Sequence, residues 1–148
     1  MAGWKWKPSE RGNKRKDAKA QRRKENEISR SIVSAAIEVH RILGGPGLLE
    51  KVYEEALAYE LTRRGLRVER QRPVPLVYKN KVLSTELRVD LMVAEKVVVE
   101  CKATVEDHSV FEAQALTYLR LLNLRLALVI NFGKPLVKDG IHRVVNGL

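Results

Sequence analysis

The stretch Asp90-Leu-Met-Val-Ala-Glu-Lys-Val-Val-Val-Glu100-Cys-Lys102 sets three charged residues into two apolar segments of strand character. Side chains alternate along a strand with period two, so Glu100 and Lys102 share one face and Cys101 takes the other. A reversal around Ala94-Glu95-Lys96 that puts Val93 opposite Val97 then puts Asp90 opposite Glu100. Two carboxylates that close repel each other unless a hard divalent cation lies between them. All-oxygen ligation with water completing the shell suits Mg²⁺ or Mn²⁺. The nearby ammonium adds positive charge where a phosphodiester under attack builds negative charge. This is the plan of a metal-dependent phosphodiester-cleaving site. The bland alternative is a hairpin ion pair among Asp90, Glu100 and Lys102, worth under about 1 kcal/mol when exposed.

A hairpin alone cannot hold such a site, and the rest of the chain supplies the layers around it. Ile28, Ile32, Val33, Ala36, Ile37, Val39 and Leu43 recur at three- and four-residue steps, which predicts a helix from Ile28. The charged run 14–26 can extend it backwards as an exposed segment. Gly44-Gly45-Pro46-Gly47 breaks it. A second helix is predicted over about residues 48–64, with Leu49, Val52, Ala56, Leu57 and Leu61 as its apolar stripe and Gly65 as its stop. The period then becomes that of strands. Residues 66–71 read as one short strand and residues 73–78 as a second, which starts at a sheet edge because proline donates no ladder bond. Residues 82–93 and 97–103 form the hairpin. Residues 110–122 are helical again, 126–130 are apolar throughout as in the covered middle of a sheet, and 141–145 suit a last edge strand. The order describes an α/β sandwich, a mixed central sheet flanked by helices.

At 148 residues the chain suits one domain plus a tail. Its single cysteine excludes an intramolecular disulfide and a multi-cysteine zinc site. No apolar run approaches the roughly 20 residues that span a bilayer, and the N-terminus lacks the apolar core of a secretory signal. A soluble, cytoplasmic protein with no membrane partner is therefore expected. The net charge of +10 is unevenly spread: residues 1–27 hold ten Lys/Arg against four Asp/Glu, and the remainder 18 against 14. Residues 1–27 read as a basic tail, disordered or an exposed helix, ahead of a domain over residues 28–148. Such an excess favours polyanions, nucleic acid among them. Trp4 and Trp6, interleaved with Lys5 and Lys7, have the means to stack on unpaired bases; a solvated tail with no partner is the alternative.

Gly47-Leu-Leu-Glu50-Lys-Val-Tyr53 has the pattern G-x-x-E-x-x-Y, and it precedes Asp90 and Glu100-Cys-Lys102 in the order found in the GxxExxY proteins. Over roughly residues 28–131 the chain resembles that family and, through it, the PD-(D/E)xK nuclease superfamily with its restriction-endonuclease-like fold. Gln114-Ala-Leu-Thr-Tyr118 reads as Q-x-x-x-Y, similar to a helix motif of the RecB-type nucleases. Val89 stands where many such enzymes carry proline before the aspartate.

The resemblance implies that Asp90 and Glu100 are ligands of Mg²⁺ or Mn²⁺, with the backbone carbonyl of Cys101 a third, and that Lys102 orients or activates the attacking water. It makes Glu50 a further acidic ligand or water-holder; a first-turn glutamate complementing the helix dipole is the other reading. Tyr53, on the same helix face, is expected in the core or in support of Glu50. Gln114 and Tyr118 are candidates for binding a phosphate or a base edge. Arg88, sharing strand parity with Asp90, is a candidate phosphate clamp, with an ordinary surface arginine as the alternative. The implied activity is metal-dependent hydrolysis of phosphodiesters, with DNA favoured over RNA and a homodimer as one assembly to test. The rival is a catalytically silent nucleic-acid-binding or protein-assembly module of the same fold.

His40, His108 and His142 are too widely spaced to suggest a zinc site. Cys101 reads as a small buried hydrophobe, and the glycine cluster at Gly44–Gly47 lacks the Lys-Ser/Thr of a nucleotide-binding loop.

Overall fold

The computed structural model describes residues 10–147. Three helices, α1 (Glu10–Ile42), α2 (Glu50–Arg63) and α3 (Ser109–Leu122), accompany seven strands: β1 (Val68–Val74), β2 (Val77–Tyr78), β3 (Lys81–Val82), β4 (Leu87–Val93), β5 (Val97–Lys102), β6 (Leu126–Asn131) and β7 (Ile141–Val145). Five of them form one sheet in the order β1-β4-β5-β6-β7. The β1, β4 and β5 neighbours are antiparallel, β5 and β6 are parallel across the α3 crossover, and β6 and β7 are antiparallel. Helices α1 and α2 cover one face, where Ile32, Leu57 and Leu61 pack with Val97, Val99 and Ile130. Helix α3 covers the other, where Ala115 and Leu119 meet Val98, Ala127 and Val129. This is the mixed sandwich expected from the order of elements, with every residue of β6 buried.

Several boundaries differ from expectation, but helix α1 carries the charged run 14–26 as the exposed backward extension expected of it: the helix passes through residues 27 and 28 without a break, and residues 14–17, 19–20 and 22–24 along it are exposed. It is docked from Glu25 onward: Glu25 is buried, and Asn26 Oδ1 accepts a hydrogen bond from Arg143 Nη2 at 2.6 Å. Trp4, Lys5, Trp6 and Lys7 lie outside the described residues. Helix α2 turns Tyr53, Glu54, Leu57, Ala58 and Leu61 inward, while Leu49 is 78% exposed and Val52 also faces out. Of the expected stripe, Leu57 and Leu61 are buried and Ala56 packs against the core, while Leu49 and Val52 give way to Tyr53 and Ala58.

The two strands expected over residues 66–78 are divided elsewhere: β1 runs through Pro73 on the sheet's edge, where a missing donor costs nothing, and only Val77–Tyr78 forms the second, β2, outside that sheet. The long strand expected from residue 82 is divided. Val82 belongs to a small separate hairpin with β2, and the sheet strand starts at Leu87. Among the described residues no helix is long and apolar enough to cross a membrane.

Candidate active site

The hairpin register follows from its turn. Val93, Met92 and Leu91 pair with Val97, Val98 and Val99, and Ala94 and Glu95 both take left-handed φ in a turn closed by Lys96 N donating to Val93 O at 3.0 Å. One step further out, side chains replace the ladder. Asp90 N donates to Glu100 Oε1 at 3.2 Å, and Cys101 N donates to Asp90 Oδ2 at 2.8 Å. The two carboxylates are therefore each pinned to the other's strand by a backbone amide. Cys101 is buried in the core beneath α1 and α2, so by alternation Glu100 and Lys102 face α3. Lys102 Nζ sits 4.8 Å from the centroid of the Phe111 ring on that helix.

Alternation breaks where Asp90 lies. Leu91 and Val93 pack beneath α1 and α2, yet Val89 packs beneath α3. On the neighbouring strand Val68 and Val74 divide the same way. The pairs Arg70–Leu91 and Arg72–Val89 are formed, but Gln71 and Asp90 between them are not paired, and Gln71 has a φ of 53°. Both strands thus switch faces at one point, which swings the Asp90 carboxylate toward the end of β5. Parity cannot be carried across the switch, so the alternation argument that put Arg88 in the cleft of Asp90 does not hold. Its guanidinium is held by Glu86 at 2.6 Å and by the Gln71 carbonyl at 3.2 Å.

Electrostatics tie the remaining residues together. The Glu100 carboxyl is pushed up to about 8, first by burial and then by the adjacent Asp90 charge, with Lys102 opposing. Burial also raises Glu50, against the pull of the Lys102 ammonium and with Asp90 and Glu54 adding to the rise. Burial raises the Tyr118 phenol as well, followed by Glu100 and Asp90. Glu50, Asp90, Glu100, Lys102 and Tyr118 therefore share one neighbourhood, reached from α2, the hairpin and α3. Gln114 is exposed one helical turn before Tyr118.

Tyr53 explains why Glu50 is where it is. Its hydroxyl donates to Gly45 O at 2.7 Å and accepts from Leu48 N at 3.2 Å, while its ring stacks on Phe132 at 4.7 Å. Gly44, Gly45 and Gly47 all have positive φ, and no side chain caps the helix at Leu49. The tyrosine three residues after the glutamate thus ties down the loop that delivers Glu50 to the start of α2.

Two supporting groups were not anticipated. Glu54, one turn after Glu50 and 3% exposed, accepts from Arg70 Nη2 at 2.9 Å and Gln71 Nε2 at 2.5 Å, and that same Gln71 nitrogen lies 3.3 Å from Asp90 Oδ1. The four-residue step from Glu50 to Glu54 was a readable signal; the role of Gln71 was not. The second group is Asn131, fully buried beside Lys102 in the β5–β6 register. Its Oδ1 accepts from Thr104 N at 3.0 Å and Gly133 N at 2.9 Å, and its Nδ2 donates to Asp107 at 2.9 Å, bracing the chain as it leaves Lys102. An amide at the end of an all-apolar strand was its only trace in the sequence.

Among the described residues no three His, Cys, Asp or Glu side chains are grouped so as to cage an ion. Two adjoining carboxylates beside a backbone carbonyl, an all-oxygen donor set, fit a small hard cation that completes its shell with water.

A family model of the PD-(D/E)XK nuclease superfamily matches residues 26–144. The chain belongs to that superfamily. No curated protein and no solved structure gives a match. The mixed sheet with its flanking helices is consistent with the restriction-endonuclease-like fold of PD-(D/E)XK proteins, and the superfamily's members are generally nucleases that typically use divalent metals.

Proposed function

We propose that this PD-(D/E)XK protein is a Mg²⁺- or Mn²⁺-dependent nuclease that hydrolyses phosphodiester bonds, with DNA as its substrate in preference to RNA. One observation carries the reading: two carboxylates from adjoining strands are pinned side by side at a partly buried position, with an ammonium two residues beyond one of them. Burying like charges together is costly without a cation to share.

Asp90 and Glu100 would hold the ion with the Cys101 carbonyl, and Glu50 would join them as a ligand or through water. An ion there supplies Lewis-acid stabilisation of the charge that builds on the phosphate oxygens and eases formation of the attacking hydroxide. The chain's own residues do the positioning. Lys102, half-buried against Phe111, directs its ammonium toward the acidic pair's side and is placed to orient the attacking water or a phosphate oxygen. Tyr118 offers a phenol donor beside the carboxylates, and Gln114 a solvent-facing amide for the backbone or a base edge. Arg88 would bind phosphate by giving up Glu86.

The test is cleavage of linear, circular, branched and single-stranded DNA and of RNA with Mg²⁺ or Mn²⁺, beside Lys102→Ala. Wild-type cleavage that a chelator stops and Lys102→Ala reduces by at least about 10²-fold is expected. Equal cleavage by the variant would remove Lys102 from the mechanism, and no metal-dependent cleavage of any substrate would reject the enzyme reading.

A further inference from the structure

We infer that Gln71 is a positioning residue for the acidic centre: its side-chain amide, clamped by the Glu54–Arg70 ion pair, sets the direction of the Asp90 carboxylate. This role rests on the metal-site reading above and adds a residue that neither the acidic motif nor the tyrosine motif contains.

The geometry carries it. Gln71 Nε2 lies 2.5 Å from Glu54 Oε1 and 3.3 Å from Asp90 Oδ1. Both neighbours are carboxylate oxygens, which accept and never donate, so it is the NH₂ end of the amide, with two hydrogens, that belongs between them. Glu54 is 3% exposed and accepts from both Arg70 Nη2 at 2.9 Å and Gln71 Nε2, so two donors hold its carboxylate in place. The amide is thus fixed from one side and presents its other hydrogen to Asp90. Asp90 Oδ2 is already taken by Cys101 N. Gln71 therefore completes a two-point hold on a carboxylate that would otherwise rotate about its last bond, and ion ligands are commonly oriented in this way by their outer partners.

The backbone gives an independent reason to look here. Gln71 holds a φ of 53°, which glycine adopts more easily than glutamine, at the one point where both strands switch faces. A position chosen for the backbone alone would favour glycine. Glutamine at that point is accounted for by its amide.

Two variants of the full chain separate amide from backbone. Gln71→Gly keeps or eases the backbone and removes the amide; Gln71→Met keeps the volume and removes only the donors. Mn²⁺ affinity, followed by the loss of the free-ion electron paramagnetic resonance signal, is expected to fall on the order of tenfold in both. In the metal-free protein, the Gln71 side-chain NH₂ resonances are expected to move in both Glu54→Gln and Asp90→Asn. Wild-type Mn²⁺ affinity in Gln71→Gly, or NH₂ resonances indifferent to Glu54→Gln and Asp90→Asn, would overturn the inference while leaving the metal site standing. A wild-type protein that binds no Mn²⁺ would overturn the metal reading and this inference's function together, even if the resonances move.

Discussion

Glu100 concentrates the chemistry into one titration. Its carboxyl is raised to about 8 from an ordinary 4.5, first by burial and then by Asp90. Between those values the unfolded chain releases a proton that the folded chain keeps. The contribution of Glu100 to the stability of the metal-free protein is thus fully present below pH 4.5 and declines as pH rises toward about 8, with a slope of up to about 1.4 kcal/mol per pH unit. Glu100→Gln, which cannot ionise, should flatten that decline and melt higher than wild type at about pH 8. Ion binding runs the other way, because ligation needs the ionised form: Mg²⁺ affinity should climb up to about pH 8 and then level, with a proton released on binding below that point. Melting curves across pH with and without chelator test both halves, and a metal-free wild type with a pH-independent Tm would show that Glu100 is not the strained group. The same logic predicts that Asp90→Asn folds while losing the ion, since removing the half-buried Asp90 charge takes away one of the causes that disfavour ionised Glu100.

At the scale of elements, the tyrosine of the G-x-x-E-x-x-Y segment acts on its own loop. Tyr53→Phe retains the stack on Phe132 and loses only the bonds to Gly45 O and Leu48 N. A drop in stability of about 1–2 kcal/mol is expected, together with faster hydrogen exchange at the Leu48 amide. Unchanged exchange at Leu48 would mean the loop is held by its glycines alone. How legible such arrangements were depended on what sets them. The hairpin register was readable because turn length and the period-two alternation determine it, and Val93 does face Val97. The β6 strand and α3 were readable from hydrophobic period. Helix α2 was readable in part: Leu57 and Leu61 go in as expected, but Leu49 and Val52 recur at helical spacing as plausibly as Tyr53 and Ala58, and only packing decides between those. Least legible was the face switch at Gln71 and Asp90. It depends on a left-handed backbone at a residue type that seldom announces one, and it undid the parity argument for Arg88 while leaving that for Glu100 and Lys102 intact.

On the scale of the whole molecule, charge and chemistry lie at opposite ends. The acidic pair sits by the C-terminal ends of β5 and β6, where Lys102 pairs with Asn131. Helix α1 is anchored at the other end, where buried Glu25 feels the charges of Arg125 and Lys96, just before the starts of β6 and β5, and of Arg143 in β7. From there the helix carries its exposed basic residues N-terminally, away from the acidic centre. That placement suits capture of a polyanion and not participation in cleavage. Removing residues 1–20 deletes seven Lys/Arg against two Asp/Glu and leaves the Glu25 and Asn26 anchors in place. If the arm meets duplex DNA, every phosphate that the shortened chain no longer neutralises should flatten the dependence of log affinity on log salt by about 0.9. Binding at moderate salt should weaken while cleavage at saturating DNA persists, because the residues proposed to hold the ion and the water are untouched. Filter binding or fluorescence anisotropy over a salt series, alongside cleavage at saturation, measures the two separately. A salt slope equal to that of the full chain would assign the basic helix to a protein partner instead, and a collapse of saturating cleavage with intact binding would mean that the arm reaches the acidic centre after all.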